Sequence, residues 1–305
     1  MLINISYEIQ ILFITWSDRM DNLLKIRAFV TTVDCGSFTM AAKRLGCAQS
    51  GISRMISDLE GEWNIALLER GRGGVSLTPE GEALLPYARF MCSAQEEMNN
   101  RVSEINGLVK GKIRIGTFSS VATHWLPKII GRFRQDFPGV EYELLLGDYT
   151  EIETWVREGR VDIGFTRFVP DMNLETEVLA RDRLMAVVPE GDGRDCIPLA
   201  ELAEGPFMLL EKGEKAEISE LFESNGLVPN VVFTTWDDYA IMSMVENELG
   251  VSILPELILR RIPYRIAVLP LDVPAYRDIC LVMRDRSKLP VAAKNFVGYL
   301  KYRQL

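Results

Sequence analysis

Hydrogen-bonding side chains are concentrated at the start of one predicted helix in the N-terminal part of the chain. Gln49, Ser50, Ser53 and Arg54 lie at the beginning and along one face of this helix. Side chains of these types can contact base edges or phosphates in a major groove, and Arg54 is the strongest single candidate. The solvated face of an ordinary helical hairpin would carry the same residue types. The pattern of the neighbouring segments is therefore needed to distinguish the two interpretations.

The segment that precedes and contains these residues has the pattern of a helix-turn-helix. The apolar residues of DNLLKIRAFVTTVDCG recur at helical spacing, with Asp21 as the N-cap and Gly36 as the stop. Ser37 caps a second, short helix, Gly46 breaks it, and the helix with Arg54 follows after about three residues. This short connection between two helices predicts a helix-turn-helix over residues 38–57.

Two short apolar stretches around RGRGG follow and predict a β-hairpin. Such a hairpin is a wing, from which Arg70 and Arg72 can reach the DNA backbone or the minor groove. Residues 20–79 are therefore predicted to form a winged helix-turn-helix. Its predicted DNA contacts are Ser37, Thr39, Gln49, Ser50, Ser53, Arg54, Arg70 and Arg72.

A long linker helix is predicted over residues 80–110, capped by Thr78 and with Pro79 at its first position. Its apolar or small residues recur in steps of three and four, which favours pairing with a second copy of the helix. Packing on the helix's own domain is the alternative. The predicted dimerisation residues are Leu84, Ala88, Met91, Gln95, Met98, Val102 and Ile105.

Strands and helices alternate through residues 111–305, which indicates an α/β domain built on parallel strands. The chain crosses between two lobes and returns. Lobe I is predicted to cover about 111–180 and 265–305, and lobe II about 181–264. Ligands of such sheets bind outside the carboxyl ends of the strands. Two of these ends carry Thr117, Ser119 and Ser120, and Thr166 and Arg167.

The N-terminal segment resembles the DNA-binding domain of LysR-type transcriptional regulators. The resemblance is carried by Phe29-Val30 before GSFT, by the Ala-Ala-x-x-Leu pattern, and then by QSxISR, LE, LxER and LTPEG. Gly51 departs from the family pattern, in which this position has a side chain and a better helix former. Trp63 and Asn64 also replace the more common Leu-Gly pair.

The resemblance implies three functional parts. These are a winged helix-turn-helix, a dimer-forming helix, and a sensor domain with a two-lobed fold like that of periplasmic binding proteins. It also places effector contacts on the loops that face each other between the lobes. Together with the strand ends, the predicted effector residues are Thr117, Ser119, Ser120, Thr166, Arg167, Glu211, Trp236, Asp237, Gly250 and Ser252.

The chemistry of these loops leaves two classes of ligand open. Hydroxyl groups, Arg167 and the amino end of a helix that starts at His124 favour a carboxylate or another anion. Asp237 and Asp238 would suit an ammonium group equally well. Trp236 offers an apolar wall to either. We therefore expect an anionic or amino-acid effector, with no cofactor and no metal.

The composition of the 305 residues is that of a folded protein, and the formal net charge is −9. Residues 20–79 contain seven basic and six acidic residues, so the acidity lies outside the predicted DNA-binding domain. The five cysteines are scattered, which is typical of a reducing cytoplasm. Residues 1–19 resemble neither a signal peptide nor a membrane anchor, and we expect them to lie outside the fold.

Three function classes fit these observations to different degrees. A DNA-binding regulator that forms a homodimer or homotetramer uses every predicted element. A solute-binding protein of the periplasmic class explains the C-terminal domain but leaves the helix-turn-helix without a purpose. An enzyme is the weakest of the three, because no nucleophile with its base, no metal cluster and no phosphate loop is discernible in the sequence.

Overall fold

The computed structural model describes residues 22–71, 74–105, 111–170, 172–191, 193–210 and 217–304. The predictions for residues 1–19, Arg72 and Glu211 lie outside the described residues, as do those for the side chains of Arg70 and Ile105. The chain divides into two compact units, Met1–Asn106 and Gly107–Leu305. Among the described residues, no helix is long and apolar enough to cross a membrane.

The first unit contains four helices and a hairpin among its described residues. These are α1 (22–35), α2 (Phe38–Leu45), α3 (Gln49–Trp63), β1 (Leu68–Gly71), β2 (Gly74–Leu77) and α4 (Pro79–Ile105). The two strands pair antiparallel and form the predicted wing. The order of elements agrees with the winged helix-turn-helix that the sequence predicts.

Local signals explain where the helices of this unit begin and end. The Ser37 hydroxyl accepts a hydrogen bond from the backbone N–H of Met40 at the start of α2. Gly46 ends α2 with a φ of +66°, a left-handed conformation that costs a glycine little. Thr78 caps α4 by accepting from the N–H of Gly81 at 2.9 Å, and its hydroxyl donates to the carbonyl oxygen of Ala66.

Some of the residues of the predicted dimerisation seam of α4 pack within their own unit. Ala88 is buried in the core of its own unit with Phe29 of α1 and Leu59 of α3, and Leu84 packs partly buried against the same core. Arg89 is also buried and forms an ion pair of 2.7 Å with Asp34 of α1. Leu84, Ala88 and Arg89 of α4 are therefore used within the chain.

The second unit is built on nine strands within the described residues. They are β3 (Gly111–Thr117), β4 (Val140–Leu146), β5 (Ile163–Arg167), β6 (Glu175–Pro189), β7 (Phe207–Leu210), β8 (Val231–Thr235), β9 (Val251–Pro255), β10 (Ile266–Leu269) and β11 (Tyr276–Met283). The hydrogen-bonded order is β4-β3-β5-β11-β6-β9-β7-β8, with β10 also paired to β6.

Helices cover these strands and complete the hydrophobic cores of the second unit. They are α5 (Ser119–His124), α6 (Leu126–Asp136), α7 (Tyr149–Arg157), α8 (Leu199–Glu204), α9 (Glu217–Ser224), α10 (Asp238–Glu246) and α11 (Val291–Val297). Short 3-10 helices lie at Ile258–Arg260, Arg286–Lys288 and Leu300–Gln304. Glycine is required at Gly164 of β5, since a Cβ there would lie 2.8 Å from methyl groups of both Ile152 and Val156.

The strand pairing gives two lobes with boundaries slightly different from those predicted. β6 crosses between the lobes, because its first half pairs with β11 and its second half pairs with β9 and β10. β10 was predicted in lobe I. Its pairing with residues 186–189 of β6 places it in lobe II, and the chain returns to lobe I with β11.

Candidate functional site

The α3 helix of the first unit has one buried face and one exposed face. Ile52, Ile56 and Leu59 are completely or almost completely buried in the core. Gln49, Ser50 and Arg54 are exposed, and Ser53 is half-buried. The helix is fixed by its apolar side while its polar side remains accessible, as a recognition helix requires.

Arg54 is the most accessible cation described on this face. Its side chain is 84% exposed, and its Nε lies 3.8 Å from a carboxylate oxygen of Asp58 one turn further along. An exposed pair of this kind is weak, so the guanidinium can exchange Asp58 for a phosphate or a guanine edge at little cost.

The remaining predicted DNA contacts are distributed around α3. Thr39 is exposed at the start of α2, whereas the Ser37 hydroxyl serves as the cap of that helix. Arg70 lies in β1 with its backbone opposite Val75 of the wing. The basic last turn of α2, with Lys43 and Arg44, was not among the predicted contacts, although both residues are exposed beside the turn.

Gly51 lies on α3 between two of the predicted contacts. A Cβ built at this position would meet no atom within 4 Å among the described residues. The packing of the unit therefore does not explain the glycine. A ligand backbone that approaches closely would explain it.

The second unit contains a buried ion pair at the point where its two lobes meet. Arg277 of β11 lies directly opposite Asp182 of β6 in the antiparallel register. Its Nε and Nη2 donate to the Oδ2 atom of Asp182 at 3.0 and 2.8 Å, and both side chains are less than 10% exposed. The N–H of Leu257 donates to the other carboxylate oxygen.

Further groups of lobe I surround Arg277. Its Nη2 also donates to the hydroxyl of Ser120 in α5, and its Nη1 donates to the hydroxyl of Tyr149 in α7. The guanidinium carbon lies 4.9 Å from the ring centroid of Phe118, a cation–π distance. Burial raises the pKa of Tyr149, so its phenol keeps its proton at neutral pH.

Three carboxylates of lobe II face these groups. The Tyr149 hydroxyl donates to Glu217 of α9 at 2.9 Å. Glu220, one turn further along α9, accepts two hydrogen bonds of 2.6 and 2.7 Å from Arg167 at the end of β5. Asp238 of α10 is hydrogen-bonded to Ser119, and burial raises its pKa to about 6. The cleft is therefore closed by contacts between donors of lobe I and carboxylates of lobe II.

The structure brings only some of the predicted effector residues into this cleft. Ser119, Ser120 and Arg167 belong to it. Asp237 caps α10 beside it by accepting from the N–H groups of Tyr239 and Ala240.

Other predicted effector residues have structural roles. Thr117, Thr166 and Ser252 are completely buried, and the Ser252 hydroxyl donates to the carbonyl oxygen of Met208 at 2.6 Å within the lobe II sheet. Gly250 is required by packing, since a Cβ there would lie 2.4 Å from the carbonyl oxygen of Pro206. These four positions are buried or closely packed within the lobes, and their role as effector contacts stays a prediction.

The amino end of a helix starting at His124 is corrected. His124 is the last residue of α5 and is buried, and the next helix begins at Leu126. Desolvation lowers the pKa of His124, and Arg260, Arg261 and Lys128 lower it further, so the imidazole is neutral at pH 7.

The residues that organise the cleft were absent from the predicted set. These are Tyr149, Asp182, Glu217, Glu220 and Arg277. Arg277 carries a signal that could have found it, since it is a charged residue in the strand YRDICLVM, whose second half is apolar.

Comparison with known proteins assigns each of the two units to a known domain family. Residues 23–82 match the family described as bacterial regulatory helix-turn-helix protein, lysR family, and residues 106–304 match the LysR substrate binding domain. This chain belongs to the LysR family of transcriptional regulators. LysR-type regulators are DNA-binding proteins with an effector-binding domain, and the solute-binding alternative is set aside because it has no place for the matched helix-turn-helix.

Individual LysR relatives extend over nearly the whole chain. The probable HTH-type transcriptional regulator LrrA of Synechococcus elongatus is 33% identical, over 85% of this chain and 89% of its own length. The regulator BenM of Acinetobacter baylyi is 31% identical, over 87% and 91%. Full-length CbnR complexed with its target DNA shares the fold, with a TM-score of 0.65 at 23% identity over 92% of this chain and 99% of CbnR.

Proposed function

We propose that this LysR-type regulator binds operator DNA through the exposed face of α3, and that a small molecule in the cleft of the second unit changes this binding. The observation that carries the DNA part is the division of α3 into a buried apolar face and an exposed polar face with Arg54. The protein acts by binding alone, in the cytoplasm, where its operator lies.

The DNA contact is tested with Arg54→Ala on a fragment of the protein's own upstream region. Loss of a good arginine contact costs about 1–3 kcal/mol, so the affinity should fall by about 5- to 150-fold. Fluorescence anisotropy at two or more salt concentrations measures the affinity and its salt dependence.

Arg194→Ala is the matched control, because this exposed arginine lies in lobe II of the second unit, where it forms an ion pair with Glu201. It removes the same charge and should leave the affinity unchanged. Equal binding by Arg54→Ala and the unaltered protein would remove Arg54 from the recognition surface.

We also propose that α4 pairs with a second copy of itself through the exposed apolar residues from Met91 onwards. Met91, Met98 and Val102 are 46%, 61% and 52% exposed and follow one another at spacings of seven and four residues. Apolar side chains at this spacing form the seam of a coiled coil. The result is a homodimer, or a homotetramer if a second interface is used.

Changing these three residues to glutamine should lower the mass in solution, as measured by light scattering. Leu24→Gln is the control, since Leu24 is an exposed apolar residue of α1 in the same unit. An unchanged mass for the triple variant would refute this interface.

A further inference from the structure

The lobe I side of the cleft presents donors that suit a carboxylate. Arg167 directs two guanidinium nitrogens towards lobe II, and the Tyr149 hydroxyl donates in the same direction. The Nε of Arg167 is buried and has no hydrogen-bond partner among the described residues. A planar guanidinium with a neighbouring hydroxyl is a good site for a carboxylate, since both oxygens can be bonded at once.

This site is occupied by the chain itself. Glu217 and Glu220 lie one turn apart on α9, so one face of a single helix supplies both carboxylates. Glu220 binds Arg167, and Glu217 binds Tyr149 and lies 3.6 Å from Nη1 of Arg277. Two acidic groups of lobe II therefore satisfy the donors of lobe I.

Glu220 is held less firmly than the buried pair of Asp182 and Arg277, whereas Glu217 is only 12% exposed and almost as buried as that pair. The Glu220 side chain is 54% exposed, so water can compete for its bonds, whereas the Asp182 side chain is only 7% exposed. Arg167 itself is only 12% exposed, so a ligand carboxylate that takes the place of Glu220 has to restore both hydrogen bonds to its guanidinium. A ligand can replace Glu220 without disturbing the bond between Asp182 and Arg277.

We propose that Arg167 and Tyr149 form a carboxylate-binding site that Glu217 and Glu220 occupy as an internal competitor, and that a small dicarboxylate effector binds by displacing them. Two carboxylates are expected because two are already accommodated at neighbouring donors. This inference rests on the proposed function, in which the cleft is the effector site.

Displacement connects ligand binding to the arrangement of the lobes. The contacts between α9 and lobe I cross the cleft, so a ligand that takes their place releases α9 from lobe I. The ligand binds only the fraction of molecules in which the glutamates have left, and its apparent affinity is reduced by that fraction. Removing the competitor should therefore strengthen binding.

The test uses the full chain with Glu217→Gln and Glu220→Gln combined, and succinate, glutarate and adipate as probes. Calorimetric titration should show that at least one probe binds the double variant about 10-fold or more tightly than the unaltered protein, as expected if the competitor occupies about nine molecules in ten. Arg167→Gln in the double variant should abolish the gain. The largely exposed Glu220→Gln alone should give part of the gain and keeps the test valid if the double variant does not fold.

Glu223→Gln is the matched control, because Glu223 is an exposed carboxylate on the same helix. It should leave the affinity for each probe unchanged. The proposal is overturned if none of the probes binds the glutamine variants more tightly, or if Glu223→Gln gives the same gain as Glu220→Gln. Operator binding by the unaltered protein is measured separately, so either outcome leaves the proposed function to its own test.

Discussion

Two ion pairs between β6 and β11 allow a direct measurement of how burial changes the contribution of a salt bridge to stability. Asp182 and Arg277 pair on one side of the two strands, and the next positions, Arg181 and Asp278, pair with the charges reversed. The first pair is buried, whereas the Arg181 side chain is 66% exposed. The strands, the register and the residue types are matched, so Asp182→Ala and Asp278→Ala differ chiefly in burial.

The two substitutions are expected to lower the free energy of unfolding by very different amounts. Asp182→Ala removes two acceptor contacts from a buried guanidinium and leaves the N–H of Leu257 without its acceptor. Breaking a buried ion pair lowers the free energy of unfolding by about 3–5 kcal/mol. Asp182→Ala should fall within this range, because Glu217 lies 3.6 Å from Nη1 of Arg277 and still compensates part of its charge. Asp278→Ala should cost about 0–1 kcal/mol. For a unit of this size, these values correspond to falls in the melting temperature of about 6–20 °C and at most about 4 °C.

Differential scanning calorimetry of the full chain is the assay, with the unaltered protein as the reference. Asp182→Ala combined with Arg277→Met removes both charges and should recover at least half of the lost stability. Equal shifts for Asp182→Ala and Asp278→Ala, or no recovery in the double variant, would refute the reasoning from burial.

Two further predictions concern Asp238 and Gly51. Because the pKa of Asp238 in the folded protein, about 6, lies above its ordinary value of 3.8, the folded state binds this proton more tightly than the unfolded chain. Asp238 therefore adds stability below about pH 4, and that stability is lost as the pH rises through 6. Asp238→Asn should make the second unit more stable than that of the unaltered protein at pH 7, by up to about 3 kcal/mol. This difference in stability should shrink towards pH 4. Thermal unfolding at several pH values measures it, and a difference that does not depend on pH would contradict the prediction. Gly51→Ala should stabilise α3 by about 0.5–1 kcal/mol, since a Cβ meets no described atom there, and should weaken operator binding if the glycine admits the DNA backbone. Calorimetry and anisotropy on the same samples separate the two effects, and unchanged operator binding would leave only the helix effect.

The sequence by itself determined the elements whose signals are local. Ser37, Gly46 and Thr78 act on the backbone within a few residues of themselves, and the helices begin and end where these residues predict. The buried face of α3 follows from apolar residues at helical spacing in the same way. The two domains and the polar face of the recognition helix were therefore available before any tertiary structure.

Only the tertiary structure decided the contents of the cleft. Arg277 meets Asp182 across 95 positions and Tyr149 across 128, and these meetings depend on the register of β11 against β6 and on how the lobes close. Tertiary packing also divided the α4 seam, since Ala88 is needed in the core of its own unit while Met98 is exposed. Periodicity shows that a residue belongs to an apolar face, but the partner of that face is set by long-range packing, which a local pattern does not contain.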